Sequence, residues 1–105
     1  MSALIDICPV SELPPGSFTM VDHEDVEIGV FNCDGAYLAV EDRCSHDDGD
    51  LLEGVIDFAA CTIECPRHGS LFDLKTGRAM NLPAYVPIET FPVRVEGDMI
   101  RLEVE

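Results

Sequence analysis

The sequence predicts an all-β protein, an antiparallel sandwich or barrel. Three observations predict it: short runs with period-two alternation, turn signals at short intervals between them, and the want of a convincing amphipathic helix. Length agrees, since 105 residues suit one domain over 1–105 and are too few for two. At this size folding buries roughly two thirds of the chain's surface. A hydrophobic content of 47% then allows one core without a disulfide framework.

Taken in order, Pro14-Pro15-Gly16 marks the first turn and Asp22-His23-Glu24-Asp25 the second. Val26, Ile28 and Val30 follow as one face of a strand, which ends at the turn Cys33-Asp34-Gly35. Ala36 to Val40 is continuously apolar and reads as a strand buried on both faces. Leu51 to Ile56 is the one place for a helical turn, and Gly54 weakens it. The turn Lys75-Thr76-Gly77-Arg78 comes next. Val93 and Val95 alternate with polar residues, Glu96-Gly97-Asp98 turns the chain, and Ile100, Leu102 and Val104 form the face of a last strand.

Charge narrows the function. Lysine and arginine number 6 against 21 acids, a formal net charge of −15. Phosphate backbones need a basic stripe and anionic membranes a polybasic patch. Nucleic acid and anionic lipid are therefore excluded, and a partner with a basic docking surface is favoured. Met1 to Val10 has no basic residue, and Asp6 breaks its apolar stretch, so no secretory signal is expected. No run approaches the ~20 apolar residues of a membrane span. The 5 cysteines, an odd number in a chain without an export signal, argue for a reducing, cytoplasmic setting.

Two segments break the strand rhythm. Residues 41–50 hold Cys44-Ser45-His46 among acids, and residues 64–70 hold Cys65-Pro66-Arg67-His68-Gly69. Thiolate and imidazole are both metal ligands, and each segment offers one of each. Residues 47 to 64 between them suffice for a strand out, a turn and a strand back, which brings both loops to one tip. In an extended Cys-x-His the two ligands point the same way, with Cα atoms ~6–7 Å apart. That separation suits two sulfide-bridged irons better than one ion. Pro66 stiffens the second loop, and Gly69 lets backbone approach the cluster. A single structural zinc on two thiolates and two imidazoles is the alternative.

Cys44-x-His46 followed by Cys65-Pro66-x-His68-Gly69 resembles the Rieske 2Fe–2S motif. The resemblance extends through Phe72-Asp73-Leu74, the turn at 75–77 and the C-terminal hairpin. It implies a β-sandwich or barrel base carrying a small cluster-binding subdomain, about residues 41–82, made of two ligand loops. It implies that Cys44 and Cys65 bind one iron, and His46 and His68 the other, at a solvent-facing tip. Pro83, in Leu82-Pro83-Ala84, matches a third loop that covers the cluster in relatives.

Departures from the high-potential branch of that family inform the redox expectation. That branch joins its two loops by a disulfide. Here Arg67 stands at one of the two places, and no cysteine follows His46 in the first loop. The same branch hydrogen-bonds its cluster through a serine and a tyrosine two residues on. Ser70 is present, but Phe72 replaces the tyrosine. Two ferric ions against two sulfides and two thiolates make a neutral oxidised cluster, which accepts an electron more readily than a four-thiolate one. The missing donor and the acids near His46 act the other way. A potential near the lower end of roughly −150 to +300 mV is expected, and a value above about +150 mV would contradict it.

The resemblance implies a soluble one-electron carrier, a monomer, between a flavin-dependent reductase and a terminal oxygenase. A free oxygenase would need two further histidines and a carboxylate on one iron, and only His23, in a polar turn, remains. No flavin or nicotinamide fingerprint is present. Arg43 and Arg67 flank the ligands and are placed to orient docking, so charge reversal at Arg67 should alter partner turnover and spare the cluster. A small subunit of a larger oxidoreductase, as in nitrite reductase, is the other functional class. Cys8, Cys33 and Cys61 lie in apolar runs and read as ordinary buried thiols.

Overall fold

A computed structural model of the protein describes residues 3–43, 50–67, 69–82 and 84–104. The strands are β1 (Ala3–Pro9), β2 (Ser17–His23), β3 (Val26–Cys33), β4 (Ala36–Glu41), β5 (Val55–Asp57), β6 (Thr62–Glu64), β7 (Leu71–Asp73), β8 (Thr90–Phe91), β9 (Val93–Glu96) and β10 (Met99–Val104). They form three antiparallel sheets, ordered β1-β10-β9, β2-β3-β4-β8 and β5-β6-β7. Among the described residues the helical structure is one short 3-10 turn at Val10–Glu12.

Turn chemistry sets the registers. β2 and β3 pair His23 with Val26 across Glu24 and Asp25, both at positive φ. β3 and β4 pair Cys33 with Ala36 across Asp34 (φ 53°) and Gly35 (φ 95°). Two central residues at positive φ give a turn whose twist matches that of the strands. Glu96 pairs with Met99 across Gly97-Asp98 in the last hairpin. β10 then buries Ile100, Leu102 and Val104, as the alternation required.

Two cores share the sheet β2-β3-β4-β8, and β3 divides them. Ile28 and Val30 face one core, with Leu13, Ala39, Ile100 and Leu102, which joins the first two sheets into the base. Phe31 and Cys33, on the opposite face of β3, belong to the other core, with Val40, Leu51, Ile63, Cys65 and Phe72. Side chains on a strand alternate between faces, so one strand serves both cores. β3 is buried on both faces over most of its length; β4 also reaches both cores, Ala39 one and Val40 the other, so the two-sided reading of Ala36–Val40 holds only at its end. In β4 only Ala39 and Val40 are buried. The run is apolar, but β8 pairs only with Ala39 and Val40 of it, the two residues that are buried.

Two further expectations shift. Leu51 to Gly54 forms turns that run into β5, not a helical turn, and a hydrogen bond from Gly54 N–H to Leu51 O (3.0 Å) tightens it. Val95 is exposed, because β9 is an edge strand. The strand-turn-strand between the ligand loops is present as β5 and β6, with Ile56 opposite Ile63.

Candidate metal centre

The second ligand loop is built around Cys65, which follows β6 and is 1% exposed. Cys65 N–H donates to Ser70 O (2.8 Å), and Gly69 N–H donates to Cys65 O (3.1 Å). These bonds bring Gly69 and Ser70 back against Cys65, with Gly69 at φ 72°. A side chain there would be strained. Gly54 supports the turn from outside: a Cβ on it would overlap the Glu64 carbonyl oxygen and press on Pro66.

Ser70 is fully buried, and its Oγ accepts a hydrogen bond from Ala84 N–H (3.1 Å). Having accepted there, the hydroxyl keeps its own hydrogen to donate. Phe72, also fully buried, lies opposite Ile63 in the core that holds Cys65. Asn81 fastens a third segment alongside: its Oδ1 accepts from Leu71 N–H (2.6 Å), and its Nδ2 lies 3.5 Å from Gly69 O. Met80 N–H adds a bond to Leu71 O (2.8 Å).

The ends of the first loop are held as firmly. Asp42 Oδ1 accepts from both Leu51 N–H (2.7 Å) and Leu52 N–H (2.6 Å), joining the two ends of the loop. Asp42 is itself tied to the base through its N–H, which donates to Glu27 O (2.8 Å). Leu52 packs over Gly29, where a Cβ would crowd it. Arg67 Nη2 in the second loop donates to Asp50 O (3.0 Å) at the end of the first. The carboxylates of Glu27, Asp42 and Asp50 gather within 4.8 Å of one another. Partial removal from water, then Asp50, Asp22 and Asp42, push the Glu27 carboxyl above its ordinary value.

Of the residues singled out in the sequence, Cys65, Ser70 and Phe72 are thus brought together. Cys44, His46, His68 and Pro83 lie outside the described residues. The residues present fit a metal–sulfur cluster. A buried thiol stands in a preformed turn beside a buried hydroxyl that accepts from Ala84 N–H, and the end of the loop carrying the other Cys-x-His is fastened to that turn. Sequence reasoning missed Asp42 and Asn81. Each works by bonding backbone far along the chain, and neither has a local pattern that announces it. His23 is the last residue of β2 and not part of the turn, which is Glu24-Asp25, and it lies 3.7 Å from Glu24. Cys8, Cys33, Cys61 and Cys65 form no disulfide with one another. Cys61 departs from a strand setting: it lies in the β5–β6 turn with φ 60°. Burial and the adjoining Cys33 push its thiol up to about 12.

Fold and site together define a small all-β protein with a buried thiol placed to ligate a metal–sulfur cluster. Residues 3–92 match the family described as Rieske [2Fe-2S] domain, and the chain belongs to that family. It is 43% identical over 97 residues to the 3-phenylpropionate/cinnamic acid dioxygenase ferredoxin subunit of Shigella flexneri serotype 5b (strain 8401), covering 92% of this chain and 90% of the relative. The ferredoxin of carbazole 1,9a-dioxygenase from Nocardioides aromaticivorans IC177 superposes with TM-score 0.85 at 30% identity, over 94% of this chain and 95% of that one. A complex of reduced oxygenase and oxidized ferredoxin in carbazole 1,9a-dioxygenase matches at TM-score 0.85 and 30% identity, over 94% and 91%. The cofactor is accordingly one Rieske-type 2Fe–2S cluster and not a structural zinc. The chain is an electron-transfer ferredoxin of the dioxygenase type, a carrier and not a catalyst.

Proposed function

We propose that the chain carries single electrons from a flavin-dependent reductase to a terminal oxygenase that hydroxylates an aromatic ring. Cys44 and Cys65 hold one iron, and His46 and His68 the other. Ser70 donates a hydrogen bond toward the cluster, Phe72 walls it and Pro83 covers it. The observation that carries this reading is the Cys65–Ser70 turn, fastened through Asn81 and Ala84 to the third segment and through Arg67 to the first loop. A bound 2Fe–2S cluster takes up and returns one electron. The chain's own residues hold it, keep water from its buried side and present its exposed side.

Presentation is where the partner comes in. Met80, Leu82, Tyr85 and Val86 are all exposed, with Leu82 at 77% and Tyr85 at 80%. They lie on the segment bonded to Ser70 and Leu71, beside the loop that carries Cys65. An apolar patch so placed suits a brief contact with the oxygenase, of the small kind that electron-transfer encounters use. The solved ferredoxin–oxygenase complex supports this choice of partner. Among the described residues no helix is long and apolar enough to cross a membrane. The reading is completed by a cytoplasmic, monomeric carrier of one domain, with the cluster subdomain over about 41–82.

Anaerobic purification followed by iron and acid-labile sulfide assay tests it. About two of each per chain are expected, with a redox midpoint near the lower end of roughly −150 to +300 mV. Zinc in their place, or colourless protein after reconstitution, overturns it.

A further inference from the structure

We propose that Arg67 is a positioning residue that staples the two ligand loops together and so sets how long the protein retains its cluster. Arg67 lies between the two ligand positions of the second loop, and its Nη2 reaches Asp50 O at 3.0 Å. That carbonyl is an anchored point. The next two residues give their amides to Asp42 Oδ1, and Asp42 is bonded to β3 through Glu27 O. Asn81 fastens the second loop to the third segment, and Arg67 fastens it to the first.

A cluster whose ligands come from two loops escapes when the loops part. Local opening of that kind costs less than global unfolding, so each bond across the gap slows it. A guanidinium is fitted to this work. It is planar and permanently charged, and its fork of donors grips an oxygen with little loss of freedom. Lysine keeps the charge but replaces the fork with a compact, strongly hydrated ammonium. Charge and staple can therefore be separated, which revises the sequence-based expectation that reversing Arg67 spares the cluster.

The test uses the loaded full chain. Wild type, Arg67→Lys and Arg67→Met are exposed to a ferrous chelator, and decay of the visible absorbance gives the lifetime of the cluster. Each variant's midpoint potential is titrated in parallel. Both variants should lose the cluster about fivefold faster, the factor matching an exposed charge-assisted hydrogen bond of about 1 kcal/mol. Arg67→Lys should keep the wild-type potential. A lysine variant with wild-type lifetime overturns the staple, because charge alone would then suffice. Faster loss that follows a general fall in thermal stability of the base also overturns it. The inference rests on the ligand assignment proposed above. Wild type without iron and sulfide would sink that assignment, whereas loaded wild type with an equally durable lysine variant sinks only the staple.

Discussion

On the site assignment proposed above, Ser70 and Phe72 set how many hydroxyl donors face the cluster. Ser70 accepts from Ala84 and as a hydroxyl also carries a donor hydrogen, while Phe72 has none to offer. Hydrogen bonds to the sulfurs stabilise the reduced, more negative cluster and raise its potential. Ser70→Ala should therefore lower the midpoint by about 60 mV, the one-electron equivalent of ~1.4 kcal/mol. It should also cost about 1–3 kcal/mol of stability, because the Ala84 amide loses its acceptor. Phe72→Tyr should raise the midpoint; protein-film voltammetry on both variants reads the two signs. Glu27 offers a different test. Its raised carboxyl means that folding favours the protonated form. Its contribution to stability is fully present below the ordinary glutamate range and is lost as pH rises through the raised value. Glu27→Gln should accordingly melt higher than wild type at pH 7, and the gap should close as pH falls toward 4.

Gly54 shows how one small residue aligns two elements. It joins the end of the first loop to β5, and its backbone lies against the Glu64 carbonyl, one residue before Cys65. Gly54→Ala should force β5 away from β6 and loosen the second loop. The expected loss is about 1–3 kcal/mol, with reduced iron per chain, checked by thermal melts and metal assay. Sequence reasoning took this glycine only as a helix weakener. Position along the chain gives no sign of which carbonyl a glycine will meet in the fold. The strands were legible because alternation and Asp-Gly or Gly-Asp turns are local signals, as β10 and its hairpin show. Cys65 and Ser70 stood out because their spacing repeats a known pattern, and the structure buries both, with Cys65 N–H bonded to Ser70 O. The double burial of β3 was not legible, since a Val-Glu-Ile-Gly-Val start looks half-solvated until a subdomain covers its second face. The Asp42 and Asn81 bonds span too many residues for any local pattern to mark them.

At the scale of the molecule, one sheet borders two cores, that of the base and that which holds Cys65. Two forces then act on encounter. The charge of −15 steers the protein over distances near the Debye length, about 10 Å at 0.1 M salt. The apolar surface of Met80, Leu82, Tyr85 and Val86 acts only on contact and is nearly indifferent to salt. Their contributions should separate in one experiment, stopped-flow oxidation of the reduced protein by the terminal oxygenase proposed above as its partner. Raising ionic strength from about 50 to about 500 mM should slow second-order transfer about tenfold or more, as expected for a steered encounter with a basic surface. Leu82→Ser should weaken the complex at every salt concentration and leave the salt dependence unchanged, since it removes no charge. If the slope flattens with Leu82→Ser, the apolar patch is not an independent part of the docking surface. If the slope is absent in wild type, the acidic surface serves solubility alone and the partner's docking face is not basic.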